Sequence, residues 1–266
     1  MIYQLIKPDP ILSPYIKGYW AFEINLDNHY LIPLIPHALI ELTFQYGDLI
    51  KNNSHETLPR TYISGQRSYP TNIRNNGKTK LILVLFYPFG ASLFFKEPMI
   101  NLENKNIDLS NLDRIKIKEI EEKLLEKETL IERIKLIESF LITHLKESSI
   151  HNFIRIQRSL SLIHRSKGKI KVSQIAKKVF VSTKQLTRDF KKYIGLNPKD
   201  FIQIIRFQYI IYQKQIKKNI SLSDLAYQSG FFDQAHFINN FKQFAGLTPS
   251  SFFNSNGYIS DYFTPF

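Results

Sequence analysis

Residues 170–253 contain one unit written twice, and this repeat constrains the fold more than any other feature of the chain. Ile175-Ala176 in the first copy answers to Leu225-Ala226 in the second, at an offset of 50. Phe190-Lys191, Gly195-Leu196 and Pro198 answer to Phe241-Lys242, Gly246-Leu247 and Pro249, at an offset of 51. The extra residue falls between the two groups, where a turn absorbs it. Self-similarity of this kind implies one supersecondary unit built twice.

Each copy reads as helix, turn, helix. In the first, Val172, Ile175, Ala176 and Val179 recur at helical spacing and define an inward face, with Ser173 as the expected N-cap. A short apolar turn follows, then Ser182 as a second N-cap, then a buried stripe of Leu186, Phe190 and Tyr193. Gly195 is placed to end that helix, and Pro198 to open the next, where a missing N–H is tolerated. In the second copy Ser221 or Ser223 caps, and Leu222, Leu225 and Ala226 face inward. Gly230 supplies the turn, Asp233 caps, and Phe237, Phe241 and Phe244 are buried ahead of Gly246 and Pro249. Small residues at Ala176 and Ala226 let the helices of each unit approach closely.

Between the copies, Lys199–Lys218 forms one continuous helical pattern containing Phe201, Ile204, Ile205, Ile211 and Tyr212. Its length at about 1.5 Å per residue makes a rod of roughly 30 Å, close to the ~34 Å of one turn of B-DNA. Such a rod suits two recognition helices placed in successive major-groove segments on one face of a duplex.

The segments 175–201 and 229–253 resemble the double helix-turn-helix domain of the AraC/XylS transcription regulators. Gly-Phe, Asp-Gln, His-Phe, Phe-Lys, Gly and Pro stand in family order in the second unit. The resemblance covers roughly Phe153 to Phe253. It implies a bacterial DNA-binding regulator of transcription.

Charge divides the chain at the same place. The formal net charge is +13. Residues 1–147 hold 18 Lys and Arg against 18 Asp and Glu, whereas residues 148–266 hold 18 against 5. The whole excess therefore lies with the repeat and is the electrostatic footprint of a polyanion partner. Charge alone also fits a solvated surface; joined to the repeat, it points to nucleic acid. The chain has no cysteine, which excludes disulfides, cysteine-ligated zinc and thiol nucleophiles. It also sets the chain apart from DNA-repair methyltransferases that carry a similar DNA-binding domain and accept the methyl group on cysteine.

Residues 1–110 read as β-rich. The runs 19–22, 39–44, 62–64 and 81–86 are rich in strand formers, and Gly, Pro and Asn clusters separate them. Residues 90–96 read as one or two helical turns. The order PHALIELTFQYGD (36–48), YISGQRS (62–68) and LVLFYPFGASLFF (83–95) resembles the N-terminal domain of a subgroup of AraC-like regulators. It implies a cupin-like β-barrel serving as a sensor. A cupin metal site needs His-X-His, then Glu, then a later His. His29, His37 and His55 lack that spacing, and His37 with Glu41 reads as a turn histidine beside a strand-edge carboxylate. There is no Gly-X-Ser-X-Gly and no glycine-rich phosphate loop. No catalytic residue, metal or cofactor is assigned. Tyr15, Tyr19, Trp20, Phe22, Tyr30, Phe44 and Tyr46 read as core, or as the lining of an apolar ligand cavity with Arg67 as its polar anchor.

Residues 111–147 form two amphipathic helices. Leu112, Ile115, Ile120, Leu124 and Leu125 mark the first, and Ile131, Ile134, Ile137 and Leu141 the second. They either pack on the β-domain or form a dimer interface, and the resemblance favours the dimer. The opening residues, broken by Pro8, Pro10 and Pro14, lack a basic head followed by an apolar run. The longest apolar run, 81–87, falls far below a membrane span. A cytoplasmic location without a membrane partner is expected.

A recognition helix enters the major groove with its exposed N-terminal half. In the first unit that leaves Thr183, Lys184, Thr187, Arg188 and Lys191 outward. Arg188, which matches an arginine common in the family motif, is suited to bidentate contact with guanine, and Lys184 to a base or a phosphate. In the second unit Gln234 or Asn239 can pair with adenine, and Ala235 or Ile238 can meet a thymine methyl. The chain departs from the family at Asn239, where arginine is common; this removes a charge and points to weaker or A·T-directed reading. His236 is expected to pack or to touch a phosphate. Arg206 matches a family arginine and is expected to hold a phosphate or brace the two units.

The expected fold class is α+β. Residues 1–110 form a β-rich sensor or regulatory domain, a cupin-like barrel or sandwich. Residues 111–147 are linker or dimerisation helices. Residues 148–254, bounded by Ser148-Ser149, are the all-α double helix-turn-helix domain, and 255–266 a short tail. The expected function is non-enzymatic, sequence-specific regulation of transcription on double-stranded DNA by a homodimer. RNA polymerase and a small-molecule effector are the further candidate partners. The competing readings are an architectural DNA binder without sequence choice and an enzyme with a DNA-targeting domain.

Overall fold

The computed structural model describes residues 2–26, 31–75, 77–111, 114–145 and 150–255. His29, Tyr30, Leu112, Ser148-Ser149 and the tail after Ser255 lie outside the described residues.

Among the described residues of the N-terminal half are eight strands: β1 (Ile2–Ile6), β2 (Ile16–Leu26), β3 (Leu31–Leu34), β4 (Ile40–Gln45), β5 (Thr61–Ser64), β6 (Thr71–Arg74), β7 (Gly77–Phe86) and β8 (Asn106–Asp108). Six of them make one antiparallel sheet in the order β1-β2-β7-β4-β5-β8, and β3 pairs with β6 separately. The four runs expected from sequence are β2, β4, β5 and β7. β2 and β7 pair along their whole length, from Ile16 opposite Phe86 to Leu26 opposite Gly77, and are the spine of the sheet.

Side-chain alternation gives this sheet two different faces. Tyr19, Leu42, Phe44, Ile63, Ile82 and Val84 share one face and lie in the main core. The helices α1 (Arg114–Glu126) and α2 (Leu130–His144) cover it. Phe140 stands edge-on to Phe44 at 6.5 Å, and the Arg133 guanidinium lies 4.4 Å from the centre of the Tyr46 ring. α2 starts with a capping box, in which Thr129 Oγ1 accepts from the Glu132 N–H and Glu132 accepts from the Thr129 N–H. The apolar stripe considered for a dimer interface (Ile120, Leu124, Ile134, Ile137, Leu141) is thus consumed in closing the N-terminal core. The reason is that a sheet face this apolar must be covered by another layer.

On the opposite face Trp20, Phe22, Leu81 and Leu85 are joined by Ile32 of β3, and Ile50, Leu58 and Tyr62 by Ile73 of β6. The two sheets therefore face each other as a sandwich. Glu41 corrects an expectation: β4 lies between β7 and β5, so this carboxylate is in an interior strand and is buried rather than at an edge.

The elements among the described residues of the C-terminal half are helices: α3 (Ile150–Arg165), α4 (Val172–Lys178), α5 (Thr183–Tyr193), α6 (Pro198–Ile216), α7 (Leu222–Gln228), α8 (Gln234–Ala245) and α9 (Pro249–Asn254). α3 ties the halves together. Its Phe153 ring stands edge-on to Phe89 at 4.9 Å and to Tyr15 at 6.4 Å. Gly195, at φ +92°, lies against the Met99 carbonyl, where a Cβ would come within 2.8 Å of the oxygen. Burial, with Lys17 of β2 adding to it, pushes the α3 residue His164 down to about 4 from an ordinary 6.5.

A depressed histidine pKa means that the unfolded chain binds a proton which the folded chain refuses. Folding stability is therefore expected to be full above pH 6.5 and to fall as pH drops toward about 4. Denaturant titrations of the wild type and of His164→Leu across this range check it. The variant should lose that part of the acid sensitivity.

Candidate nucleic-acid interface

In the first unit α4 and α5 meet across the turn 179–182. The expected cap Ser173 is instead inside α4: the cap falls two residues earlier, at Lys171, because the Gln174 side chain accepts from the Lys171 N–H at 3.0 Å. Ser182 does cap α5, accepting from the Gln185 N–H at 3.1 Å. Leu186 and Phe190 are fully buried beneath it. The second unit matches. Ser221 caps α7, accepting from Asp224 N–H at 3.0 Å, and Asp233 caps α8, accepting from His236 N–H at 2.7 Å. Phe237, Phe241 and Phe244 are buried, and Gly246 closes the helix at φ +74°.

The turns locate the one-residue slip of the repeat. Val181 N–H donates to Ala176 O, and Phe231 N–H donates to Ala226 O in the same way. The copies are in register at 50 up to that bond and at 51 from the caps Ser182 and Asp233 onward, so the inserted residue is Phe232.

The side chains expected to face outward mostly do. Thr183, Lys184, Arg188 and Lys191 are exposed on α5, and Thr187 is half-buried with its hydroxyl donating to Thr183 O at 2.9 Å. Gln234, Ala235 and Asn239 are exposed on α8, and Ile238 is half-buried. His236 packs on the Phe231 ring, with 5.2 Å between centroids.

Arg206 is built into the joint. From α6 its Nε donates to Gly168 O at 2.8 Å, and its guanidinium lies 5.5 Å from the centre of the Phe231 ring. It links the loop ahead of α4 to the turn of the second unit, and burial holds its pKa below the usual arginine range. Gly168, at φ +69°, has no room for a Cβ against the Arg206 backbone nitrogen 2.6 Å away. These contacts are those of the brace, one of the two roles considered for Arg206.

One positioning group escaped the sequence reading. Asp189 of α5 is buried; its Oδ2 accepts from Arg155 Nε of α3 at 2.8 Å, and its Oδ1 from Gln185 Nε2 at 2.8 Å. This pair fixes the rotation of α5 about its axis, and so decides which of its residues point out. The signal was available: Leu186, Asp189 and Phe190 fall on one helical stripe.

A second polar cluster lies in the sandwich. Glu41, Ser64 and Asn106 stand opposite one another on β4, β5 and β8. Ser64 Oγ donates to Asn106 Oδ1 at 2.8 Å, and Arg67 Nη2 to the same oxygen at 3.0 Å. His37 Nδ1 accepts from the Leu39 N–H, which leaves its Nε2 3.3 Å from Glu41 Oε1. That oxygen is buried and makes no hydrogen bond of good geometry. Burial raises the Tyr62 hydroxyl well above the usual tyrosine range in the neighbouring row, where Thr43 hydrogen-bonds it and Glu41 and Arg67 are close.

Two helix-turn-helix units on one helix, each with an exposed second helix in a strongly basic half, define a double helix-turn-helix domain. The comparisons agree. Residues 175–255 match the family model of a helix-turn-helix domain, and residues 4–108 match a domain of unknown function (DUF6597). The C-terminal domain is of the AraC type. The chain is 31% identical over 118 residues to the Msm operon regulatory protein of Streptococcus mutans, covering 44% of this chain and 42% of that protein. It is 29% identical over 80 residues to the uncharacterized transcriptional regulatory protein YesN of Bacillus subtilis, covering 30% and 22%. The chain thus spans less than half the length of either relative. Among solved structures, ToxT of Vibrio cholerae bound to a naphthalenyl butenoic acid aligns over 99% of this chain and all of its own, with 14% identity and a TM-score of 0.46. No described helix is long and apolar enough to cross a membrane.

Asp189→Ala is expected to destabilise the protein by about 1.5–3 kcal/mol, the cost of losing hydrogen bonds to a charged group. Chemical denaturation measures this. A value within a few tenths of wild type would remove Asp189 as the residue that sets α5.

Proposed function

We propose that this chain is a sequence-specific DNA-binding regulator of transcription that reads two successive major-groove segments with α5 and α8. The observation that carries the reading is the repeat itself: two helix-turn-helix units fixed to one helix, with Arg206 joining them and the outer faces of α5 and α8 open. In this reading Arg188 contacts guanine, and Lys184 and Lys191 reach a base or phosphates. Thr183 and Thr187 flank them. Gln234 and Asn239 face adenine, and Ala235 and Ile238 a thymine methyl. Arg206 acts as the brace. RNA polymerase is the partner such a regulator acts on, and non-enzymatic action follows from the same reading. As a homodimer the protein would use the apolar side chains left outside on α1 and α2, Leu125 and Ile131.

The test is selection of bound sequences from a random duplex pool with the full chain. A bipartite motif is expected, and enrichment of nothing beyond random sequence would leave the architectural reading. On the selected site Arg188→Ala should cost about 1–3 kcal/mol and relax one base position, and affinity should fall steeply with salt. A uniform loss on every sequence would assign Arg188 to phosphates instead.

For the N-terminal domain we infer a sensor of a small polar molecule, because Glu41, Ser64 and Arg67 bring a buried polar cluster, with His37 beside Glu41 at 3.3 Å, into an otherwise apolar sandwich. Thermal melts against a panel of polyols and hydroxycarboxylic acids are expected to find a compound that stabilises the wild type and not Glu41→Gln. Equal stabilisation of both proteins, or of neither, removes this reading.

A further inference from the structure

Phenylalanine is a core residue in the C-terminal half. Phe190, Phe201, Phe207, Phe237, Phe241 and Phe244 are all at most 1% exposed. Among the described residues two phenylalanines break the pattern: Phe180 is 89% exposed and Phe232 100% exposed. Each lies in the turn of a different unit, Phe180 two residues before the cap Ser182 and Phe232 one residue before the cap Asp233.

Neither is explained by folding. Phe180 has φ +58°, a left-handed conformation that disfavours any side chain with a Cβ. Its counterpart in the second unit, one residue before the matching turn hydrogen bond, is Gly230 at φ +78°. The first unit thus holds a strained phenylalanine where the second holds the residue suited to the turn, and the ring gains almost no burial in return. Phe232 is the residue added to the second copy. An insertion into a surface turn is ordinarily small or polar, yet this one is the most exposed large apolar side chain of the described residues.

We propose that Phe180 and Phe232 are DNA-contacting side chains, each laid against thymine C5-methyl groups where its recognition helix enters the major groove. The inference rests on the DNA-reading function proposed above. The rings flank the N-termini of α5 and α8, the ends that approach base edges. Phenylalanine against a thymine methyl is an established mode of apolar readout. Close to Phe180 in sequence, Lys177, Lys178 and Lys184 are exposed, a setting that complements a polyanion. A protein partner would call for a contiguous apolar core to its contact, whereas these are single rings on separate units.

The experiment uses the full chain and the duplex selected from the random pool. Affinities of wild type, Phe180→Gly and Phe232→Ser are measured on that site and on the same site with each thymine in turn replaced by uracil, which lacks only the methyl. Phe180→Gly is expected to melt no lower than wild type, since glycine suits its φ, and to bind about fourfold weaker for each thymine methyl left uncovered. One uracil should weaken wild type by the same factor and leave Phe180→Gly unchanged; Phe232→Ser should respond likewise at a second thymine. Variants that bind as tightly as wild type, or uracil effects that simply add to those of the variants, overturn the proposal. Unchanged DNA affinity with reduced transcription by added RNA polymerase also overturns it and assigns the rings to the polymerase. Failure of wild type to select any site overturns the DNA reading itself, so the wild-type arm separates the two failures.

Discussion

Helix α6 is apolar around nearly its whole circumference. Phe201, Ile202, Ile204, Ile205, Phe207, Ile210 and Ile211 are all buried, and at 100° per residue they leave no continuous polar face. Such a helix must be covered on every side, and one small unit cannot do that. The first unit covers its beginning, with Phe190 on Phe201 at 5.8 Å between ring centres. The second covers its later turns, with Phe241 and Phe244 at 5.1 and 5.5 Å from Phe207. The duplication and the rod therefore require each other. Its 19 residues make a rod of roughly 28 Å. That length is a consequence of what α6 must bury.

Burial alone would leave the units free to rotate about the rod. Two polar devices remove that freedom. Arg206 joins the loop before α4 to the turn of the second unit, and Asp189 pins α5 to α3 through Arg155. The N-terminal half adds a third grip at the far end of α5, where Gly195 lies against Met99. Burial and the neighbouring Asp200 hold the Glu103 carboxyl above the usual carboxylate range in the same region. This grip falls at the C-terminal end of α5 and leaves Thr183, Lys184 and Arg188 exposed at the other. A reader whose helices are fixed before it meets its target does not spend binding energy on ordering them.

The C-terminal half was legible because its signals are local and doubled. Caps, turn glycines and helical stripes each occur at matching places in both copies, so one copy checks the other. The same alignment could have exposed Phe180, which stands where Gly230 serves the second turn. Asp189 was missed because an acid between lysines and arginines reads as surface, although its spacing from Leu186 and Phe190 placed it inside. In the N-terminal half β3 carries Pro33, which argues against a strand. β6 and β8 are short and largely polar, Thr-Asn-Ile-Arg and Asn-Ile-Asp. β6 gains its place by pairing with β3 and β8 by pairing with β5, contacts that no local pattern announces. Glu41 was misplaced for a related reason. Whether a strand lies at an edge depends on which strands come back beside it, and that is a property of the whole sheet.

The two recognition helices differ in a way that bears on how a fixed pair would work. α5 carries Lys184, Arg188, Lys191 and Lys192, while Lys242 is the one Lys or Arg of α8. Phosphate attraction is strong, insensitive to sequence and dependent on salt, whereas amide and methyl contacts are weak and tied to particular bases. Under the proposed function the first unit would supply most of the holding force. The second, with Gln234, Ala235 and Asn239 outward, would supply discrimination. That division is workable only if the second unit need not find its groove independently. The joint through α6 and Arg206 meets this requirement, because docking the first unit delivers the second already oriented. The loss of an arginine at Asn239 is then tolerable in affinity, and the rigid joint is what makes it so.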